Sequence, residues 1–203
     1  MLKKEARQIT GGLSAPSKMP GPAYNLPATE CKTGAKLVKI PGSVCAGCYA
    51  LKGRYRFRNV RMALARRLES LKHPQWVKAM TVLIKGEPHF RWHDSGDLQS
   101  VTHLANIFKV CKATPETSHW MPTREAGLLK VINPEAVPKN LIIRMSSHMI
   151  DQKPVSFWPW TSTVSTGLAQ PGHRCPAQNQ NNQCRDCRAC WDRKVSNVTY
   201  PKH

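Results

Sequence analysis

The segment Glu87-Pro88-His89-Phe90-Arg91-Trp92-His93-Asp94-Ser95-Gly96-Asp97 alternates like a β-strand and ends in a polar turn that contains glycine. Helical periodicity follows over 101–112, and then a second strand-like run, Ser118-His119-Trp120-Met121-Pro122-Thr123-Arg124. The alternation continues with a helix over 127–132 and a strand over Leu141-Ile142-Ile143-Arg144-Met145-Ser146-Ser147. Strands that alternate with helices predict βαβ units and a parallel sheet. Each strand finishes in polar or reactive side chains: His93, Asp94 and Asp97, then Thr123 and Arg124, then Arg144, Ser146, Ser147 and His148. Any one of them suits a turn or a cap. Three strands ending alike point to a shared site at the carboxyl edge, where parallel sheets place their ligands.

Upstream, Val60, Ala63, Leu64 and Leu68 recur at helical spacing over 59–71, and Pro74 opens a second helix carrying Trp76, Val77, Met80, Leu83 and Ile84. Residues 1–30 are rich in Gly, Pro and Ser and read as irregular, with one short strand near Tyr24-Asn25-Leu26-Pro27-Ala28. Downstream, Trp160-Thr161-Ser162-Thr163-Val164-Ser165 reads as a fourth strand. Its lead-in Phe157-Trp158-Pro159-Trp160 suits core packing better than base stacking. Beyond Gly167 apolar periodicity stops. The expected organisation is therefore an α/β body over 1–166 and a cysteine-rich extension over 167–203, ordered by a metal.

The extension carries Cys175, Cys184, Cys187 and Cys190 in a C-x8-C-x2-C-x2-C run. Two-residue gaps let successive sulfurs turn inward around one centre, as thiolates do around a [4Fe–4S] cubane; structural zinc accepts the same four donors. A second set, Cys31, Cys45 and Cys48, lies near the other end with no evident fourth ligand. Three thiolates leave one iron of a cubane open, whereas a closed structural site takes four, so one or two clusters are expected, with zinc as the alternative. Pro41-Gly42-Ser43 and Gly47 allow the backbone to turn closely about such a centre. Cys111 falls on the apolar side of a helix and is assigned to the core.

With 203 residues the chain can bury a core of its own. The first residues lack an apolar signal region and no stretch approaches a membrane span, so the eight cysteines point to a reducing cytoplasm rather than to the disulfides of a secreted protein, and away from membrane partners. Lys and Arg number 31 against 12 Asp and Glu, for a formal charge of +19. Arg54, Arg56, Arg58, Arg61, Arg66 and Arg67 follow the first cysteine set, and Arg174, Arg185, Arg188, Arg193 and Lys194 interleave the second. So basic a chain attracts polyanions, and nucleic acid is the expected partner. A regulator docking on a host or phage protein fits this charge less well.

Four stretches resemble the gene-product-88 proteins of phages and plasmids: Pro41 through Gly53 with its Cys45-Ala46-Gly47-Cys48-Tyr49 core, Phe90 through Leu98, Pro122 through Glu125, and Cys187 through Asp192. The resemblance implies a phage origin and action inside a bacterial host. A more distant likeness is to radical S-adenosylmethionine enzymes, which are partial (β/α) barrels with a three-cysteine loop after the first strand. By that likeness Cys31, Cys45 and Cys48 would hold a cluster that binds S-adenosylmethionine, and Cys175, Cys184, Cys187 and Cys190 an auxiliary one. Ser95, Gly96 and Asp97 would contact the methionine amino group, Arg124 and Ser146 the carboxylate and ribose, and His93, Asp94 and Asp97 would line the catalytic site. Those enzymes show C-x3-C-x2-C, whereas thirteen residues separate Cys31 from Cys45 here. The alternative is a non-catalytic iron–sulfur or zinc protein that binds nucleic acid.

Overall fold

The computed structural model describes residues 1–167 and 171–202. Residues 168–170 and 203, which belong to the expected cysteine-rich extension, lie outside the described residues. In chain order the elements are α1 (Lys3–Thr10), β1 (Ala23–Tyr24), α2 (Lys32–Leu37), α3 (Arg58–Ser70), α4 (Trp76–Ile84) and β2 (His89–Trp92). There follow α5 (Val101–Ala113), β3 (Ser118–Thr123), α6 (Ala126–Leu129), β4 (Leu141–Ser146), β5 (Thr161–Ser165), β6 (His173–Arg174) and β7 (Asn197–Pro201).

The strands form one sheet in the order β1-β2-β3-β4-β5-β7-β6, with every pairing parallel. The sheet is open, with β1 and β6 at its edges. From β1 to β5 each strand lies beside the one before it, so the connections never reverse across the sheet. The α/β parallel reading of the sequence is thus observed. Helix α6 is shorter than the 127–132 expected, and α1, α2, β6 and β7 are additions to that reading.

Strand residues alternate between two faces. Phe90, Trp92, Met121, Leu141, Ile143 and Met145 pack with Trp76, Met80 and Ile84 of α4 and Leu104, Ile107 and Cys111 of α5. This is the main core, and Cys111 is fully buried in it as expected. The intervening residues look the other way: Trp120 and Val198 pack against Ala189, Cys190 and Trp191 of the cysteine-rich segment. Helices therefore cover one face of the sheet and the C-terminal cysteines part of the other. Trp158 is buried, with its indole N–H donating to the Ile143 carbonyl at 2.7 Å, in line with the packing role assigned to that aromatic cluster. Helix α1 packs on α4 through Ala6, Ala79 and Leu83. No helix among the described residues is long and apolar enough to cross a membrane.

Candidate functional site

Cys31 opens α2, and the next two cysteines sit on a tight turn, where the Cys48 N–H donates to the Cys45 carbonyl at 3.1 Å. Gly34, one turn into α2, faces that turn. A Cβ built there would lie 2.9 Å from the Cys31 Cβ and 3.7 Å from both the Cys31 and the Cys45 sulfur. Two thiols thus converge on the space this glycine leaves open, and the charge of Cys48 is felt at both. The Val44 N–H donates to the His148 carbonyl at 2.9 Å and the Ile150 N–H to the Gly42 carbonyl at 3.0 Å, which ties the turn to the segment after β4. The three-cysteine set therefore lies at the carboxyl edge of the sheet. Burial pushes the Cys31 thiol up to about 12, with the charges of Asp97, Cys48, Cys45 and Glu125 adding to it. Burial also raises Cys45, against the pull of the nearby Arg124 guanidinium.

The strand-end residues prove to be mostly joinery. Asp97 is buried and accepts from the Leu98 N–H at 2.7 Å and the Thr123 hydroxyl at 2.6 Å through one oxygen, and from the Arg124 N–H at 2.8 Å through the other. Burial lifts its carboxyl to about 6 although these donors oppose the shift. The Ser95 hydroxyl donates to the Leu26 carbonyl at 2.9 Å, and Gly96, at φ +77°, passes so close to Leu26 that a Cβ would fall 2.6 Å from its Cβ. Ser146 and Ser162 share a hydrogen bond at 2.9 Å. Asp94 receives the hydroxyls of Tyr49, through its backbone carbonyl, and Tyr55, at 2.6 Å through its carboxylate, and pairs with Arg91 at 3.1 Å. Arg124 differs: its Nε is buried without a hydrogen-bond partner, beside Cys45. His93 is buried in a left-handed conformation (φ 57°) with its ring 5.4 Å from that of His103 and neither ring nitrogen hydrogen-bonded.

The second cysteine set lies across the sheet. Cys175, Cys184 and Cys190 line a cavity of about 190 Å³ together with Arg91, Trp120 and Tyr200. Cys187 Sγ lies 3.3 Å from His173 Nε2, and Cys190 Sγ lies 3.1 Å from the Tyr200 hydroxyl. Burial raises Cys190 to about 12. The Arg91 guanidinium stacks over the Trp120 ring at 4.3 Å, and Trp191 packs edge-on to Trp120 at 5.0 Å.

Sequence reasoning missed what holds this segment. Arg144 of β4, which the strand-end pattern had grouped with the site residues, is fully buried on the cysteine-covered face. Its guanidinium donates to the carbonyls of Ala189 at 2.7 Å, Cys190 at 3.1 Å, Asp192 at 3.1 Å, Val195 at 3.0 Å and Thr161 at 3.3 Å. It makes no ion pair with a carboxylate among the described residues. Arg193 adds bonds to the carbonyls of Val137, Pro138 and Leu141. Arg67, counted from sequence among the basic surface, is buried and bonded to the carbonyl of Gly12 at 2.9 Å. The strand-end pattern gave no sign of the distant segment that covers Arg144.

All eight cysteines are free thiols. Among the described residues no group of three or more His, Cys, Asp and Glu side chains stands arranged round a single metal position. The donor chemistry nevertheless fits a thiophilic centre in both places. At Gly34 the sulfurs of Cys31 and Cys45 both approach the helix, each 3.7 Å from where a Cβ would stand, and at the second set three thiols line one cavity with the half-buried Arg91. A metal or cluster bound there would displace the protons that burial keeps on these thiols.

A family model described as gene product 88 matches residues 1–193, and the chain belongs to that family. No curated protein and no solved structure matches the chain.

Proposed function

We propose that this gene product 88 protein is a phage-type iron–sulfur protein of radical S-adenosylmethionine character, its open sheet corresponding to a partial (β/α) barrel, and that it acts on nucleic acid in the bacterial cytoplasm. The observation that carries the reading is the gathering of Cys31 and Cys45 over Gly34, with Cys48 adjoining, at the carboxyl edge of an all-parallel sheet. A [4Fe–4S] cluster held by three thiolates supplies an open iron and one-electron chemistry when bound. Arg124, whose Nε has no partner, is placed to receive a carboxylate beside Cys45. Asp97 fixes the Arg124 backbone and so acts as a positioning residue. Cys175, Cys184, Cys187 and Cys190 would hold the auxiliary cluster, with the charge of Arg144 and Arg91 offsetting that of the thiolates.

A second reading, a non-catalytic zinc or iron–sulfur protein that binds nucleic acid, draws on the internal bonding of Ser95, Asp97 and Ser146, which leaves few side chains free for a small ligand. Anaerobic purification with iron, sulfide and zinc analysis, then paramagnetic resonance of the reduced protein with and without S-adenosylmethionine, separates the two. About eight irons and a signal shifted by S-adenosylmethionine support the first reading; about four irons with no shift support the second. Zinc alone overturns the cluster. Gly34→Ala sharpens the test: its methyl group would fall 2.9 Å from the Cys31 Cβ, so Cys31 must shift and metal at the first set is lost, with far-UV circular dichroism checking that the fold, helped by the helix propensity of alanine, survives.

A further inference from the structure

Between Glu30 and Glu69 the chain has no acidic residue and ten Lys or Arg. Within that stretch a short 3-10 turn, Gly53–Arg56, and the start of α3 expose Arg54, Arg56, Arg58 and Arg61 to solvent. None of the four takes part in an ion pair among the described residues. Phe57, set between Arg56 and Arg58, is 59% exposed, and Tyr49 is 57% exposed. Arginines without counter-ions beside aromatic rings left in water form a surface that lacks its complement.

The arch is also fixed in place. Tyr49 and Tyr55 pack ring to ring at 5.8 Å, and both hydroxyls end on Asp94, which is braced in turn by Arg91. Tyr49 directly follows Cys48. The tyrosine pair therefore joins this basic surface to the turn that carries Cys48.

We infer that this arch is the docking surface for single-stranded nucleic acid, its phosphates held by Arg54, Arg56, Arg58 and Arg61 and a base stacked on Phe57. Duplex is the poorer occupant, because its bases are already stacked and offer no free face to an isolated ring. The inference rests on the proposal that the neighbouring site acts on nucleic acid, and names the form in which that substrate arrives.

The test is fluorescence anisotropy of the full chain with a labelled 20-nucleotide single strand and with the matching duplex, at 50 and 200 mM salt. Four phosphate contacts give about a 50-fold loss of single-strand affinity between those salts, and the triple variant R54Q/R56Q/R58Q reduces that loss to about threefold. Phe57→Ala, which leaves the charge intact, weakens single-strand binding about tenfold with the salt response unchanged. A triple variant that keeps the wild-type salt response, a neutral Phe57→Ala, or a duplex bound as tightly as the single strand overturns the inference. Metal content measured on the same preparations keeps the two ideas apart: metal without arginine-dependent binding sinks the arch alone, and arginine-dependent binding without metal sinks the cluster alone.

Discussion

Replacing Arg144 by methionine removes a guanidinium that no solvent reaches while conserving most of its volume. Five carbonyls, at 2.7–3.3 Å, lose their donor, four of them in the segment from Ala189 to Val195. A hydrogen bond to a charged donor contributes about 1.5–3 kcal/mol, and such bonds to one group are far from additive. Removing one partner from a buried polar assembly costs about 3–5 kcal/mol, and we expect Arg144→Met to fall in that range. With a urea dependence of about 2 kcal/mol per molar, the unfolding midpoint should drop by about 2 M. Arg144→Lys keeps the charge but offers a compact ammonium in place of a planar fork, so it should lie between the two. Hydrogen exchange locates the effect: the N–H groups of Trp191, Asp192 and Val195, which close turns in this segment, should lose protection before β3 or β4 does. A loss below about 1 kcal/mol, or unchanged exchange over these residues, would refute the view that Arg144 fastens the cysteine segment to the sheet.

Two further outcomes follow from buried ionisable groups. Burial lowers His119 to about 3 and His103 to about 4, so both fold as neutral rings; their contribution is complete above the unfolded value near 6.5 and disappears as the pH falls through 6 toward 4. The loss between pH 7 and 4.5 is about 2–3 kcal/mol for each. Asp97, raised to about 6, works in the opposite sense and returns about 2 kcal/mol over the same interval, while buried His93, also lowered by burial, adds to the histidine loss; the net is a loss of at least about 3 kcal/mol that urea midpoints at the two pH values should show, and equal stability would contradict it. Asp97→Asn turns one acceptor into a donor pointed at either the Arg124 N–H or the Thr123–Leu98 pair, at a cost of about 2–3 kcal/mol and a melting point lower by roughly 5–10 °C, whereas a change within 1 °C would show that the carboxylate ties nothing together.

The alternation of β2, α5, β3 and β4 was legible because strand and helix periods differ and each run is long enough to display its own. Helix α1 carried no such signal: it is mostly polar, and its one buried apolar residue, Ala6, gains meaning only against Ala79 and Leu83 of a helix far along the chain. Strand β7 was hidden for another reason, since five residues after a polar segment look like a tail until β5 is there to pair with them. The cysteine spacing did not reveal that Gly34, between Cys31 and Cys45 in sequence, would approach both of their sulfurs in space. Ser95, Asp97 and Ser146 do stand at strand ends, whereas Arg144, grouped with them, lies within β4 and serves the opposite segment. Their tasks were not legible, because a serine or aspartate that binds a ligand and one that ties two loops together look alike until the partners are known.

Strand β6 touches the sheet only through β7, and β7 follows it in the chain with all of Cys175 to Cys190 in between. The far edge therefore depends on β7: among the described residues β6 has no other neighbour in the sheet, and the excursion that carries the cysteines is closed only when these two strands pair. Until then four thiols wait on an untethered strip, open to whatever reaches them first. An inorganic centre delivered in that interval would also draw the two ends of the excursion together, whereas an oxidant arriving first would join the same sulfurs in pairs and strand the edge half-built. The state of those four thiols is thus tied to the order in which the strands meet.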